Sequence, residues 1–118
     1  MNLVAYVGKD NETWGQLTAL IKRMDAERIF LVTNQEVKDF PASEKCMVID
    51  VDGGAPLLDL KSNMIERLKP QLVSDFEVAL SLASGTGKEH MALISALLSI
   101  PVGIRLVVFT KNGVEVIN

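Results

Sequence analysis

The chain has 118 residues, which is enough for one compact domain and too few for two ordinary ones. It is 48% hydrophobic and carries a formal net charge of −3, so no diffuse positive field is available to hold duplex nucleic acid or an anionic membrane. A single cysteine excludes an internal disulfide and fits a cytoplasmic, reducing compartment, and no apolar run is long enough to predict a membrane-spanning helix.

The first half of the chain predicts three strands and one helix. Residues 3–7 are a short β-favouring run that ends at a glycine. In 13–26 the apolar residues recur every three or four positions, as on one face of a helix. Strand-like runs follow at 28–33 and 45–51, and the polar stretch between them, 35–44, predicts a loop. The order in this half is therefore β-α-β-β.

The second half alternates helices with strands. Residues 57–68 have the spacing of an amphipathic helix, and we expect Pro70 to stop it because proline lacks the N–H that a helix interior needs. A strand at 76–83 and a helix at 88–100 follow. The last two strands are predicted to be joined by a tight turn at the Asn-Gly pair, 112–113.

Strands that alternate with helices in this way predict an α/β fold. We expect one Rossmann-like domain over residues 1–118, with a mainly parallel sheet, helices on both faces and a C-terminal β-hairpin. If the strand order is 3-2-1-4-5, the first and fourth strands are neighbours at the point where the order reverses. Ligands bind at that switch point in open α/β sheets.

Two loops that combine glycine with lysine would then face each other. The first strand is followed by Gly8, Lys9, Asp10 and Asn11, and the fourth by Ser84, Gly85, Thr86, Gly87 and Lys88. Glycine lets the backbone approach a ligand, while hydroxyls and the N–H groups of a following helix bind anions. These residues predict a phosphate-binding site. The alternative is an ordinary turn between a strand and a helix.

The second loop does not match the two commonest nucleotide-binding motifs. A Walker A loop would need a glycine where Leu82 stands and a hydroxyl where Glu89 stands, so ATP hydrolysis is disfavoured. A dinucleotide-binding fold would need glycines spaced as G-x-G-x-x-G after the first strand and an acidic residue at the end of the second. Thr33 and Asn34 stand at that second place, which disfavours NAD.

The helix after the second loop is apolar around nearly its whole circumference. A helix of this kind is covered on both sides. The sheet would cover one side, and we expect a second copy of the chain to cover the other. The prediction is a homodimer through helix 89–100, with the two loops near one twofold axis. The alternative is a helix that its own chain covers.

Several other residues have simpler interpretations. His90, the single histidine, is a candidate ligand contact that could transfer protons, although a solvated helix position is the commoner role. Asp50 and Asp52 could hold Mg²⁺, but a capped turn is favoured because no third ligand is evident. We expect Cys46 and Trp14 to pack against the core.

The stretch "SGTGKEHMALISALL", with a strand before it and a strand hairpin after it, resembles the second motif of the CARF domains, the CRISPR-associated Rossmann-fold sensors. In that family a Gly-Gly-Thr-Lys-like loop opens a helix that begins with Met-Ala-Leu. The first-strand loop, here "GKDN", is the family's other ligand-contacting region. Two departures are visible: Gly87 separates Thr86 from Lys88, and Met91 lies three residues after Lys88 rather than two.

The resemblance implies a dimer that binds a cyclic oligoadenylate across its twofold axis in CRISPR antiviral defence. For a stand-alone domain it also implies a slow ring nuclease that needs neither metal nor cofactor, in which a ribose 2′-hydroxyl attacks the adjacent phosphate. Lys88 is the best catalytic candidate and Lys9 the second, as cations that would stabilise the developing charge. The competing expectation is a non-enzymatic Rossmann-like interaction module that docks on a separate effector protein.

Overall fold

A computed structural model of the protein describes residues 1–34 and 39–118. Within these residues the strands are β1 (Leu3–Val7), β2 (Ile29–Asn34), β3 (Cys46–Val51), β4 (Glu77–Ser81), β5 (Gly103–Thr110) and β6 (Gly113–Val116). The α-helices are α1 (Trp14–Arg23), α2 (Leu57–Leu72) and α3 (Gly87–Ser99), and a 3₁₀ turn at Asn11–Thr13 leads into α1. Of the predicted loop, 39–44 contains neither helix nor strand, and 35–38 lies outside the described residues.

The sheet has the order β3-β2-β1-β4-β5-β6. The first five strands are parallel to their neighbours, and β6 pairs antiparallel with β5 as a hairpin. The predicted α/β fold and the terminal hairpin are therefore confirmed, and the parallel strands have the order that the switch-point argument assumed. The consequence for function is that β1 and β4 lie side by side at the switch point, with Ala5 opposite Ser81.

Helices cover both faces of the sheet, as predicted. On β1, Val4 and Tyr6 face a core that α2 and α3 complete, while Leu3, Ala5 and Val7 face a second core closed by α1. All five residues of β1 are buried because the strand is central and covered on both sides. This explains why its sequence is a continuous apolar run rather than an alternating one.

The expectation that Pro70 stops α2 is wrong, because the helix continues to Leu72. Pro70 and Glu66 are both exposed, so the Glu66 carbonyl that proline leaves without a partner faces water, where its loss costs least. Leu72 is only 1% exposed, and its burial holds the last turn on the core. None of the helices in the described ranges, α2 included, is long and apolar enough to cross a bilayer.

Candidate functional site

A cleft of about 700 Å³ lies beyond the carboxyl ends of the parallel strands. Its walls come from β1 and the loop after it (6–10), Asn34 at the end of β2, the loop after β3 (52–54), and the start of α3 with the loop before it (Gly85, Thr86 and Glu89). Strand order fixes this location, because the crevice of an open α/β sheet forms where neighbouring connections leave for opposite faces.

The two glycine- and lysine-containing loops are in direct contact in this cleft. The Gly8 N–H donates to Ser84 Oγ at 2.9 Å, and the Ser84 hydroxyl donates in turn to Asp10 Oδ1 at 2.9 Å. The Gly85 N–H donates to the same Asp10 oxygen at 3.1 Å. Ser84 is completely buried, so its hydroxyl joins the two loops and does not line the cleft.

Glycine is required at both ends of this contact. A Cβ on Gly8 would lie 2.5 Å from Asp10 Oδ1 and 2.7–2.8 Å from the backbone of Gly85, closer than real Cβ atoms approach. Gly85 has a φ of +105°, and a Cβ there would lie 2.8 Å from the ring of Tyr6. The glycines that the sequence assigned to ligand approach therefore also allow the two loops to approach each other.

Asp10 is held as a carboxylate by this network. Partial burial acts to raise its pKa, but hydrogen bonds from Ser84, Gly85 and Thr13 outweigh burial and lower the pKa below its usual value. A carboxyl group whose pKa is lower in the folded than in the unfolded protein stabilises the fold above its unfolded pKa. That stabilisation is lost as the pH falls through the folded pKa.

Asp10→Asn should therefore destabilise the protein at neutral pH and have a smaller effect in acid. Urea unfolding of wild type and variant at about pH 7 and in acid measures both differences, because the stabilisation by the Asp10 carboxylate is lost as the pH falls through its lowered folded pKa. Asp25→Asn, at an exposed carboxyl, is the matched control and should change little at either pH. An Asp10→Asn penalty that is the same at both pH values would show that the charge of Asp10 does not stabilise the loop contact.

The start of α3 is occupied by a reciprocal capping box. The Thr86 side chain accepts the Glu89 N–H at 3.3 Å, and Glu89 Oε1 accepts the Thr86 N–H at 2.8 Å. With Gly85 bound to Asp10, two loop N–H groups that the sequence assigned to a phosphate are taken by the protein's own carboxylates. Gly87, the first residue of α3, is exposed and is not part of the cleft wall.

Two lysines lie at the mouth of the cleft. Lys9 is exposed and belongs to its wall. Lys88 is exposed at the rim and donates from Nζ to the Gly53 carbonyl at 3.2 Å, which joins the start of α3 to the loop after β3. Asn11, in the 3₁₀ turn, is exposed and is not part of the cleft wall.

His90 is not part of the cleft wall, although its Nε2 would lie 3.1 Å from a Cβ on Gly85, which is. Its Nε2 is 2.6 Å from the Ser84 carbonyl, and its ring lines a shallow apolar depression together with Gly87, Met91 and Leu98. Met91 and Leu98 are 60% and 64% exposed. The described residues therefore leave this strip of α3 uncovered, on the helix that the sequence predicts to form a dimer.

Tyr6 is the site residue that the sequence did not reveal. It belongs to the cleft wall and is completely buried, and its hydroxyl lies near the Glu89 carboxylate without forming a hydrogen bond of ordinary geometry within the described residues. Burial raises the pKa of the phenol far above its usual value, and the nearby Glu89 carboxylate raises it further. Tyr6 therefore remains neutral, with a proton to donate. In the sequence it is only one member of the apolar run that forms β1.

The remaining candidates have structural contacts. Asp52 accepts the Gly54 N–H at 3.0 Å in a capped turn. No group of three potential metal ligands occurs within residues 1–34 and 39–118. Trp14 packs against the α1-side core and donates from Nε1 to the Gly8 carbonyl at 2.9 Å, so it also supports the first loop. Cys46 packs against the same core and is partly buried.

Comparisons with known proteins bear on the fold alone. No protein-family model matches the chain, and no curated protein matches it. Its fold is similar to that of the C-terminal domain of a hydrogenase from Pyrococcus furiosus, with a TM-score of 0.54 over 89% of each chain at 12% sequence identity. Fold similarity at this level supports the sheet topology and leaves function to be argued from the site.

Proposed function

We propose that the protein is a cytoplasmic, homodimeric CARF-like domain that binds a cyclic oligoadenylate in the cleft between its two glycine- and lysine-containing loops. The observation that carries the proposal is the direct contact of those loops at the switch point, made by Gly8, Asp10, Ser84 and Gly85. In the CARF family these two regions contact the ligand. The protein presents both in one preorganised wall, which reduces the cost of ordering loops on binding.

The distribution of charge in the cleft fits a ligand whose phosphates lie at the mouth of the cleft. Lys9 and Lys88 are exposed at or beside the cleft wall, whereas Asp10 and Glu89 are partly buried in it. Phosphates would be repelled at the inner end and attracted at the rim. A ring of adenylates can satisfy this pattern, because its bases and riboses are uncharged and its phosphates are separate from them. An acidic protein can bind such an anion because the positive potential need only be local.

The exposed strip of α3 supports the dimeric part of the proposal. Met91 and Leu98 lie on the helix whose first residues border the cleft, so a symmetric contact through this strip would bring two clefts together. An isologous interface of this kind matches a ligand that has rotational symmetry of its own.

The test is equilibrium binding of cyclic tetra-adenylate and cyclic hexa-adenylate by calorimetry, with the oligomeric state measured by light scattering. We expect one ring to bind per dimer, and binding of neither ring would overturn the proposal.

Chromatography of the same mixture measures turnover. In that reaction the ribose 2′-oxygen bonds to phosphorus, the bond to the 5′-oxygen breaks and a 2′,3′-cyclic phosphate forms. The 2′-hydroxyl loses its proton and the 5′-oxygen gains one from solvent.

Lys9→Ala and Lys88→Ala should each weaken binding of the ring about tenfold or more, because each removes a cation facing the phosphates. Calorimetry at constant salt measures the change. Lys22→Ala removes an exposed lysine of α1 and is the matched control. If all three variants bind alike, the phosphates do not lie at the mouth of the cleft. If turnover occurs, Lys88→Ala should also slow it by orders of magnitude.

A second candidate is a non-enzymatic module that docks on a separate effector protein through the same strip of α3. The exposure of Met91 and Leu98 favours it, because exposed apolar side chains that adjoin one another mark interaction sites. It predicts a monomer or weak dimer that is indifferent to adenylate rings and acquires a heteromeric partner. The calorimetry and light scattering above separate it from the first proposal.

A further inference from the structure

The inner end of the cleft contains an unused hydrogen-bonding group. The Tyr6 hydroxyl has no hydrogen-bond partner in the described residues although the side chain is completely buried. A buried hydroxyl without a partner costs free energy, and native proteins rarely leave one unexplained. Tyr6 belongs to the cleft wall, and its hydroxyl is shielded from solvent beside the Glu89 carboxylate, so a ligand that enters next to Glu89 can supply the missing partner.

Glu89 stands beside Tyr6 at this inner end. A Cβ placed on Gly85 would be 2.8 Å from the Tyr6 ring, 3.1 Å from His90 Nε2 and 3.2 Å from Glu89 Oε1, so these three side chains border the space that Gly85 leaves open. His90 Nε2 is already engaged with the Ser84 carbonyl, which leaves Tyr6 and Glu89 to meet a ligand. Oε1 accepts the Thr86 N–H, and a Cβ on Gly53, across the cleft, would be 3.6 Å from Oε2. The second carboxylate oxygen therefore faces the cleft.

Together these two groups select a particular chemistry. A carboxylate accepts hydrogen bonds and repels anions, and a neutral phenol donates one. A phosphate would accept a hydrogen bond from the phenol but would be repelled by the carboxylate. A group that carries an N–H donor beside a ring-nitrogen acceptor fits both, and the amino edge of adenine has this arrangement.

We infer that Tyr6 and Glu89 form a base subsite, in which Glu89 accepts a hydrogen bond from the adenine 6-amino group and the Tyr6 hydroxyl donates to the adjacent ring nitrogen. This inference rests on the proposed binding of a cyclic oligoadenylate. The inference identifies the residues that recognise the base and distinguishes them from the lysines that face the phosphates.

The test compares cyclic tetra-adenylate with the same ring built from purine, which lacks the 6-amino group. Wild type should bind the adenine ring about tenfold more tightly for each base that enters a subsite, the effect of one lost hydrogen bond to a charged acceptor. Glu89→Gln should remove most of that preference, because glutamine keeps the capping box but can turn an N–H donor towards the cleft. Glu66→Gln, at an exposed glutamate of α2, should keep it.

Tyr6→Phe should weaken binding of both rings about tenfold, because the donor to the ring nitrogen is lost while Glu89 remains. The midpoint of thermal unfolding of the ligand-free variant should stay the same or rise, since the lost hydroxyl had no partner. A lower midpoint would show that the hydroxyl is already satisfied in the free protein and would overturn the inference.

The two proposals fail in different ways in this experiment. If wild type binds neither ring, the proposed function is wrong. If wild type binds both rings equally, or if Tyr6→Phe binds them as wild type does, the ring is bound without this base subsite. The inference is then wrong while the proposed function stands.

Discussion

Gly85→Ala should lower the free energy of unfolding by about 3 kcal/mol, the sum of a strained backbone and an overpacked side chain. The φ of Gly85 is +105°, which L-residues rarely adopt, and the added Cβ would lie 2.8 Å from the ring of Tyr6. Tyr6 cannot move aside easily because it is completely buried. The loop must shift instead, and its hydrogen bond to Asp10 would lengthen or break.

Urea unfolding measures this change, and Gly15→Ala is the matched control. Gly15 lies in α1 without a positive φ, and a Cβ added there would meet no neighbouring group within 4 Å. Alanine there should stabilise the protein by up to about 1 kcal/mol, because it has the higher helix propensity. Equal effects of the two substitutions would mean that Gly85 is not needed for the contact between the loops.

Leu98→Lys should weaken self-association of the protein at least a hundredfold if α3 forms the dimer. Burying one leucine side chain contributes about 1.5–3 kcal/mol, and twofold symmetry counts the change twice. A loss of about 3 kcal/mol corresponds to roughly a hundredfold in the dissociation constant. Lysine suits the place because Leu98 lies in the last turn of α3, where a cation interacts favourably with the helix dipole.

The control is Leu58→Lys, because Leu58 is 73% exposed on α2 and Leu98 is 64% exposed on α3. Sedimentation of both variants over a range of concentrations measures the dissociation constant. Leu58→Lys should dimerise as wild type does. A Leu98→Lys protein that remains as strongly dimeric would place the dimer interface on another surface.

The switch-point location could be predicted from the order of elements only together with an assumed strand order. Alternating strands and helices, with continuous apolar strands, predict a parallel sheet covered on both faces. The sheet order β3-β2-β1-β4-β5 then follows from the common topology, and it makes the loops after β1 and β4 neighbours. The two loops were therefore accessible to sequence reasoning although residues 8 and 84 are 76 positions apart.

The contacts inside the cleft could be predicted only in part. Thr86 and Glu89 have the spacing of a capping box, and that signal indicates that the glutamate folds back on the loop. The sequence contains this capping-box spacing, but the same residues also match a phosphate-binding loop, and that interpretation was preferred. The bonds among Gly8, Asp10 and Ser84 were not readable, because they depend on the path of two loops from separate parts of the chain.

Tyr6 and His90 differ in how far their positions at the site could be predicted from the sequence. The ring of Tyr6 lies beside Gly85 and its hydroxyl lacks a well-formed hydrogen bond, and both are properties of the assembled site that the apolar run of β1 does not reveal. The helical spacing of Gly87, His90 and Met91, in contrast, already predicts one face of α3. That spacing could have placed His90 with the apolar strip rather than with the cleft.

The most direct test of ligand binding in the cleft is an NMR titration of the ¹⁵N-labelled protein with cyclic tetra-adenylate. Gly8, Gly54 and Gly85 belong to the cleft wall, whereas Gly15 and Gly113 do not. We predict that the backbone amide signals of the first three shift on addition of the ring and that those of Gly15 and Gly113 do not. Saturable shifts at Gly15 or Gly113, with Gly8 and Gly85 unchanged, would contradict the proposed site.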